Sequence, residues 1–337
     1  MELLQLLLRR DRRASPATGV FEEQAPYEKG FANHYETHIK PLAMEYEEKR
    51  RAAIDKANVR LKVTLAVLVG VTTLVHTLQE EGNWPIAIIF SLIFTYGVMN
   101  PWVVRPLKEY KTSIKDQVFP KILSFLGEFE YRSSCSDTVM QWSNTGLIPS
   151  YNREINEDAI YGLYKGVMLN LFESHLKNER GSGKDRREVT VFKGIVIDID
   201  MNKPFQGKTI LRKDRGKVRN WLKRTFDRMD RVVLEDPKFE SIFEVYSTDQ
   251  IEARYLLTPA FMERINSLVE RMEGEGIQCC FLSEKLFMMI PLTKNMFEPG
   301  SVFESEDFVD DAKSLLADMN DIFSIVEILK LNQSTRL

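Results

Sequence analysis

WPIAIIFSLIFTYGVMNPWVV, running from Trp84 to Val104, is 21 residues without a charged side chain. As a helix it extends about 31 Å, enough for the hydrocarbon core of a bilayer. Just upstream, VTLAVLVGVTTLVHTL (Val63 to Leu78) is also free of acidic and basic residues apart from His76. This stretch is short, and Leu61 with the apolar stem of Lys62 lengthens it. Only Gln79, Glu80, Glu81, Gly82 and Asn83 stand between the two stretches. Together they read as a hairpin of two transmembrane helices, with spans over about 61–79 and 84–104.

The flanks orient the hairpin. Lys49, Arg50, Arg51, Lys56, Arg60 and Lys62 precede it, and Arg105, Lys108, Lys111 and Lys115 follow. Basic residues near span ends stay on the cytoplasmic side, so the acidic turn faces out and both termini face the cytoplasm. Trp84 and Trp102 lie near opposite ends of the second span, as interfacial anchors do. Met1–Leu8 has an acidic start and a very short apolar run, with Arg9, Arg10, Arg12 and Arg13 coming after it. A signal peptide has the reverse order of charge and apolar run, so residues 1–20 are expected to be a disordered tail.

The remaining composition is that of an ordinary globular chain: 337 residues, 44% hydrophobic and 28% charged. A net charge of −3 argues against nucleic acid as the main partner, since phosphate binding needs a basic face. The three cysteines, Cys135, Cys279 and Cys280, have no zinc-binding spacing, and adjacent Cys279 and Cys280 are poorly placed to bridge.

Around the hairpin, Tyr27 to Arg60 reads as a solvated helix interrupted near Pro41, with Glu45 and Lys49 spaced to pair at i,i+4. Leu107 to Leu126 reads as the returning helix, so residues 21–126 form a helical stalk. From 127 to 337 a cytoplasmic domain is expected. Ile160–Leu171 and Val189–Ile199 are rich in β-branched and aromatic residues and read as strands, with Thr209–Leu211 returning as a partner strand. Phe239–Tyr246 also reads as strand, and Ser247 with Gln250 forms a capping-box pattern opening a short helix. Thr258-Pro259 starts a further helix carrying Phe261, Ile265, Leu268 and Met272 on one face. Ile277–Leu282 and Leu286–Ile290 flank a hairpin turn at Ser283-Glu284-Lys285. A last helix, from Glu306 to about Lys330, is capped by Ser305 and carries one apolar stripe. The expected fold class is α+β: the N-terminal transmembrane hairpin with helical extensions, then an α+β domain with a mostly antiparallel sheet.

Four blocks resemble a bacterial family of two-span inner-membrane proteins classed only as a domain of unknown function. They are HIKPLAMEYEEKRR (His38–Arg51), VFKGIVIDIDMNKPFQGKTIL (Val191–Leu211), LEDPKFESIFEVYSTDQIEARYLLTPAFMERI (Leu234–Ile265) and FLSEKLFMMIPL (Phe281–Leu292). The resemblance covers roughly Phe21 to Pro299 and leaves out the N-terminal tail, the Asn178–Arg187 loop and the C-terminal helix. It implies a bacterial inner-membrane location and this topology. It brings no established activity and no catalytic residues.

Residue patterns that carry chemistry are sparse. Gly181-Ser-Gly-Lys184 lacks the first glycine and the final Ser or Thr of a phosphate loop. Asp198 and Asp200 alternate with Ile195, Ile197 and Ile199, as water-facing residues of a half-buried strand do. His34 and His38 stand on one helix face but no third ligand is placed with them. No catalytic set, metal site or cofactor is expected. Asp249, Glu252 and Arg254 lie in the most family-like block and are the candidate ligand-binding residues. Arg212–Arg231 holds nine basic residues against three acidic ones. Within it Arg219, Lys223, Arg224 and Arg228 are candidates for contact with the anionic inner leaflet.

The expected function is that of a non-enzymatic, membrane-anchored protein whose cytoplasmic domain binds a partner protein, a second copy or the inner membrane surface. The alternative is a ligand sensor or enzyme with a pocket near Asp249, Glu252 and Arg254. Two spans without intramembrane acidic or basic residues offer no transport pathway unless many copies assemble.

Overall fold

The structure, a computed structural model, describes residues 19–78, 100–181, 187–201, 204–213, 229–271, 276–304 and 307–329, with Leu6, Ile89, Ile93 and Gly97 besides. It divides into two compact units, Met1–Phe125 with Glu298–Ser314, and Leu126–Phe297 with Leu315–Leu337.

The first unit is helical. A 3-10 turn (Pro26–Glu28) leads to α1 (Phe31–His34), a π-helical turn over Tyr35–Ile39, and α2 (Lys40–Leu78). The wide turn lies just ahead of Pro41, where a proline ring would otherwise press on the carbonyl of Thr37. The helix therefore continues through the expected interruption. After it come α3 (Asn100–Gln117) and α4 (Phe119–Leu123). The Tyr46 hydroxyl donates to the Ser113 carbonyl at 2.8 Å, and Arg60 Nη1 to the Trp102 carbonyl at 2.8 Å. Those two links set α2 and α3 antiparallel over their described lengths. The expectation of a solvated stalk is corrected at Arg50, which is 1% exposed. Its Nε and Nη2 donate to the two carboxylate oxygens of Glu47 at 2.7 and 2.8 Å, and Nη1 to the Val302 carbonyl at 3.0 Å. A guanidinium whose donors are satisfied in this forked geometry can be buried. Glu45 and Lys49 pair as expected, at 2.7 Å.

One helix among the described residues, Phe31–Leu74, is long and apolar enough to cross a membrane, its most apolar 18-residue window having a mean hydropathy of 1.4. Much of its apolar part is exposed: Val63, Leu65, Val67, Val69, Val71 and Leu74 are 42–65% exposed, while Thr64 is buried. The acidic turn and most of the second span, Ile89, Ile93, Gly97 and 100–104 excepted, lie outside the described residues. So does the tail over 1–20, apart from Leu6, Gly19 and Val20.

The second unit is built on one antiparallel nine-stranded sheet. Its strands are β1 (Phe129–Ser134), β2 (Arg153–Tyr164), β3 (Val167–Arg180), β4 (Arg187–Asp200), β5 (Thr209–Lys213), β6 (Asp230–Val232), β7 (Phe243–Ser247), β8 (Gln278–Leu282) and β9 (Lys285–Pro291). They lie in the order β1-β2-β3-β4-β9-β8-β5-β7-β6. The stretch Ile160–Leu171, expected as one strand, is the inner half of a hairpin: Tyr164 faces Val167 across Lys165 and Gly166, both at positive φ, +48° and +79°. Two left-handed residues in a two-residue turn match the twist of the flanking strands. β5 is not the partner of β4; it lies between β8 and β7. Phe239–Tyr246 is also corrected. Its first half belongs to α5 (Pro237–Ile242), capped by the Asp236 carboxylate with a proline at the first position, and only the second half is strand.

Helices α6 (Gln250–Leu256) and α7 (Pro259–Arg271) follow β7, and α8 (Val309–Leu329) comes last. Thr258 Oγ1 accepts the Phe261 N–H at 3.2 Å, the expected cap. α8 begins three residues later than expected; Ser305 lies outside the described residues, and Asp307 Oδ1 takes the Val309 N–H at 3.0 Å.

The sheet is covered on both faces. On one, Trp142 from the 3-10 segment Val139–Thr145 packs with Phe172, Leu176, Phe192, Val196 and Met289. On the other lie Ile195, Ile197 and Ile199, all 0% exposed, with Phe261 of α7 against Phe281 and Phe323 of α8 stacked on Tyr164 at 3.9 Å. This double cover corrects the placement of Asp198, which is 8% exposed rather than water-facing. It takes hydrogen bonds from Asn170 at 2.7 Å and Lys285 at 3.0 Å.

Candidate functional site

Strand lengths open a groove at one end of the sheet. β4 pairs with β3 as far back as Arg187, but with β9 only over Gly194–Asp200. Across the gap, β5 pairs with β8 only at Thr209–Leu211 and continues to Lys213 against β7. Beyond the ends of β8 and β9 the sheet therefore parts, leaving a cavity of about 590 Å³. Leu147, Phe192, Met289 and Leu292 contribute to its apolar lining. Arg180, Lys193, Arg212 and Lys213 also line it, and among the described residues no acidic one does. Among the described residues, neither Arg180 nor Lys193 is held in an ion pair. A low-dielectric concavity lined by one sign of charge attracts the opposite sign.

The wall of the groove is a strand edge. Among the described residues no strand pairs with the groove side of β4 from Arg187 to Phe192, and Arg187, Glu188, Val189 and Thr190 are exposed. Gly194 is the point where this edge meets β9, and the Leu292 N–H donates to the Lys193 carbonyl at 2.9 Å. The β3–β4 arm is braced on its own surface by Glu188, which takes Arg153 at 2.7 Å and Lys177 at 2.8 Å. His175 Nε2 lies 2.8 Å from Thr190 Oγ1 on this arm. Among the described residues no carboxylate hydrogen-bonds the other ring nitrogen to complete a relay of the triad kind.

A second feature lies under α8. Glu157 and Glu173 face each other across β2 and β3, and a bulge brings Asp158, at φ +54°, beside them. One oxygen from each of the three carboxylates lies within 4.8 Å of the others. Burial is the main reason that the Glu173 pKa rises to about 7; the N–H groups of Phe297 and Met296 oppose it, and Asp158 and Glu157 add to it. Asp318 of α8 is likewise pushed up to about 7, first by burial and then by Asp321 and Glu173. Protein donors already serve these oxygens: Met296 N–H to Glu173 at 2.7 Å, Asn295 Nδ2 to Glu157 at 3.1 Å, and the Tyr131 hydroxyl to Asp158. The cluster is thus suited to holding protons. Sequence reasoning missed it, because its members meet only through the β2–β3 pairing.

The residues singled out in sequence are placed as follows. Asp249 caps α6, its Oδ1 accepting the Ile251 and Glu252 N–H groups at 2.9 and 3.0 Å. The cap is thus Asp249 and not Ser247, whose Oγ instead accepts the Asp249 N–H at 3.0 Å. Glu252 clamps the turn before β5, taking the Gln206 N–H at 2.8 Å and the Gly207 N–H at 2.7 Å. Asp249 and Glu252 meet at Gly207, while Arg254 Nη1 donates to its own helix at the Gln250 carbonyl, 3.2 Å away. Asp249→Ala is expected to cost about 1 kcal/mol and Asp249→Asn much less, read as shifts in the denaturant midpoint of the sheet unit. Equal losses for the two would argue against the capping role. Arg219, Lys223, Arg224 and Arg228 lie outside the described residues. His34 is engaged, its Nε2 lying 2.7 Å from the Lys121 carbonyl. Cys135, Cys279 and Cys280 are free thiols.

Fold and groove define an α+β unit with an antiparallel sheet, in a chain whose described residues also include one helix long and apolar enough to cross a membrane. Residues 190–331 match the model of a family described as "Protein of unknown function (DUF3137)". That stretch is a domain of unknown function, and it runs from within β4 through α8, the helix that the sequence resemblance left out. Among curated proteins none matches the chain. Among solved structures there is similarity to the mycobacterial trehalose monomycolate transport factor A, TtfA, at 13% identity and a TM-score of 0.34, covering 63% of this chain and 96% of that one. A likeness that distant bears on neither fold nor function.

Proposed function

We propose that this chain is a non-enzymatic protein anchored in the bacterial inner membrane by a two-helix hairpin, with both termini in the cytoplasm and a sheet unit that binds a partner protein through the groove. The observation that carries the reading is the lining of the groove: four basic side chains, no acidic one among the described residues, and an apolar base, in a cavity of the size that ligand sites have. The exposed Val and Leu residues of α2 support the anchor, since a surface of that kind needs a lipid or protein cover. A unit held at a membrane meets its partner at a raised effective concentration, so a modest groove suffices.

The test is site-specific photo-crosslinking in intact cells. A photoreactive residue at Thr190, in the groove, is expected to give a protein adduct that weakens at least fivefold in the Arg180→Ala, Lys193→Ala double variant. The same residue at exposed Val233 is expected to give none of that adduct. Adducts to lipid alone, or a protein adduct indifferent to the double variant, would remove the groove from this role.

A further inference from the structure

We infer that the groove receives an extended, acidic segment of the partner, which joins the open edge of β4 as an added strand; this rests on the groove being the partner site. Three observations carry it. First, the place beside β4 that β9 fills from Gly194 onward is left unfilled by any described strand from Phe192 back to Arg187. Six residues of strand span about 20 Å, room for a hexapeptide's main chain. Such an edge presents N–H and C=O groups that a peptide backbone can pair and an acyl chain cannot. Second, β9 ends where the vacancy begins, at the Leu292 N–H to Lys193 carbonyl bond of 2.9 Å. An incoming strand would therefore continue the line of β9 and keep the same spacing to β4. Third, Arg180, Lys193, Arg212 and Lys213 line the cavity beside Thr190–Lys193 of this edge, and no carboxylate is among the cavity's described lining residues; Glu188, further back on the edge, already takes Arg153 and Lys177. Charge on a sheet edge discourages pairing with further copies of the same edge, while it admits a strand of opposite charge. Because side chains alternate across a strand, acidic residues at every second position keep one row toward the cations and leave the other apolar.

The experiment uses the full chain in detergent micelles and a degenerate library of eight-residue peptides alternating Asp or Glu with Val, Ile or Thr. A matched library with Lys and Arg, and the acidic library N-methylated at alternate residues, serve as comparisons. Binding of the acidic library is expected to exceed that of the basic one at least tenfold. It is also expected to fall at least tenfold on N-methylation, which removes main-chain donors and keeps the charge, and in the Arg180→Ala, Lys193→Ala double variant. Amide exchange over 187–192 is expected to slow when the acidic peptides bind. No preference for the acidic library would overturn the inference. Binding indifferent to N-methylation would overturn the added strand while leaving the groove as a partner site. Displacement of the peptides by phosphatidylglycerol vesicles, with no slowing of β4 exchange, would assign the groove to lipid headgroups instead. Failure of the groove reading itself shows separately, as loss of the protein adduct at Thr190.

Discussion

Replacing Gly194 with alanine is expected to destabilise the β4–β9 ladder by about 3 kcal/mol, the upper range for overpacking a buried position. The cause is contact, reinforced by conformation. A Cβ built on Gly194 would lie 2.1 Å from the Ile290 carbonyl oxygen and 2.8 Å from the Leu292 nitrogen. All the nearest atoms are backbone, so no side-chain rotation relieves the overlap, and β9 must move away from β4. Its φ of +155° adds strain for any residue with a Cβ. Gly166 is the control: its φ is +79°, yet nothing lies within 4 Å of a Cβ placed there. Gly166→Asn retains an accessible left-handed conformation and is expected to cost only a few tenths of a kcal/mol. Hydrogen exchange of the full chain decides the matter. For Gly194→Ala, protection over 194–200 and 285–291 is expected to fall by about two orders of magnitude, the equivalent of 3 kcal/mol. A fall of less than tenfold would mean that the strands part at little cost, and the groove at their junction would then not be a fixed shape.

Gly194 also shows what kind of information sequence carries here. A glycine in the middle of VFKGIVIDID marks a close approach of another backbone, yet the sequence cannot say that the approaching strand is β9, almost a hundred residues on. Elements whose signals are local were legible: β4 from its β-branched run, the β8–β9 hairpin from two runs around Ser283-Glu284, α7 from Thr258-Pro259 and its apolar face. Elements were misread where two local signals compete. At Phe239–Tyr246 the β-rich residues outweighed the Asp236-Pro237 helix start, which in the fold wins for six residues. Around Lys165-Gly166 the β-rich run continues on both sides of the turn, where Leu163 and Met168 stay apolar although exposed, so the two-residue break is easily passed over.

The candidate site was legible in a different sense. Arg212 and Lys213 were seen as the beginning of a basic stretch, but Arg180 and Lys193 lie in other strands and join them only because β8 and β9 stop short. The groove is a property of ladder ends, which pairing determines and composition does not. Conversely, Asp249 and Glu252 drew attention as clustered charges in a distinctive block. Their carboxylates accept backbone N–H groups at a helix start and a turn, a use common for such residues next to a tight loop.

Buried carboxylates set the second large expectation: the sheet unit becomes less stable as pH rises from 4.5 to 7, and Glu173→Gln removes much of that loss. Glu173 is 6% exposed and faces Glu157 directly across the ladder, where like charges repel. Its pKa is about 7 in the fold against an ordinary 4.5, so the folded state binds a proton that the unfolded chain has released. The contribution to stability is therefore fully present below 4.5 and is lost progressively up to about 7, after which the buried carboxylate is ionised. The difference corresponds to about 3 kcal/mol. Asp318 titrates in the same window and in the same direction, but its shift depends partly on Glu173, so the two do not add. In Glu173→Gln the amide oxygen can keep the Met296 and Phe297 N–H groups, while the amide nitrogen turns its donors toward Glu157 and Asp158. The variant is expected to match the parent at pH 5 and to exceed it at pH 8 by about 2 to 3 kcal/mol, measured from amide exchange over β2 and β3 with correction for the intrinsic rate at each pH. If the variant were instead weaker by the same amount at both values, Glu173 would be ionised in the fold throughout, and the cluster would need a bound cation to hold three negative charges so close.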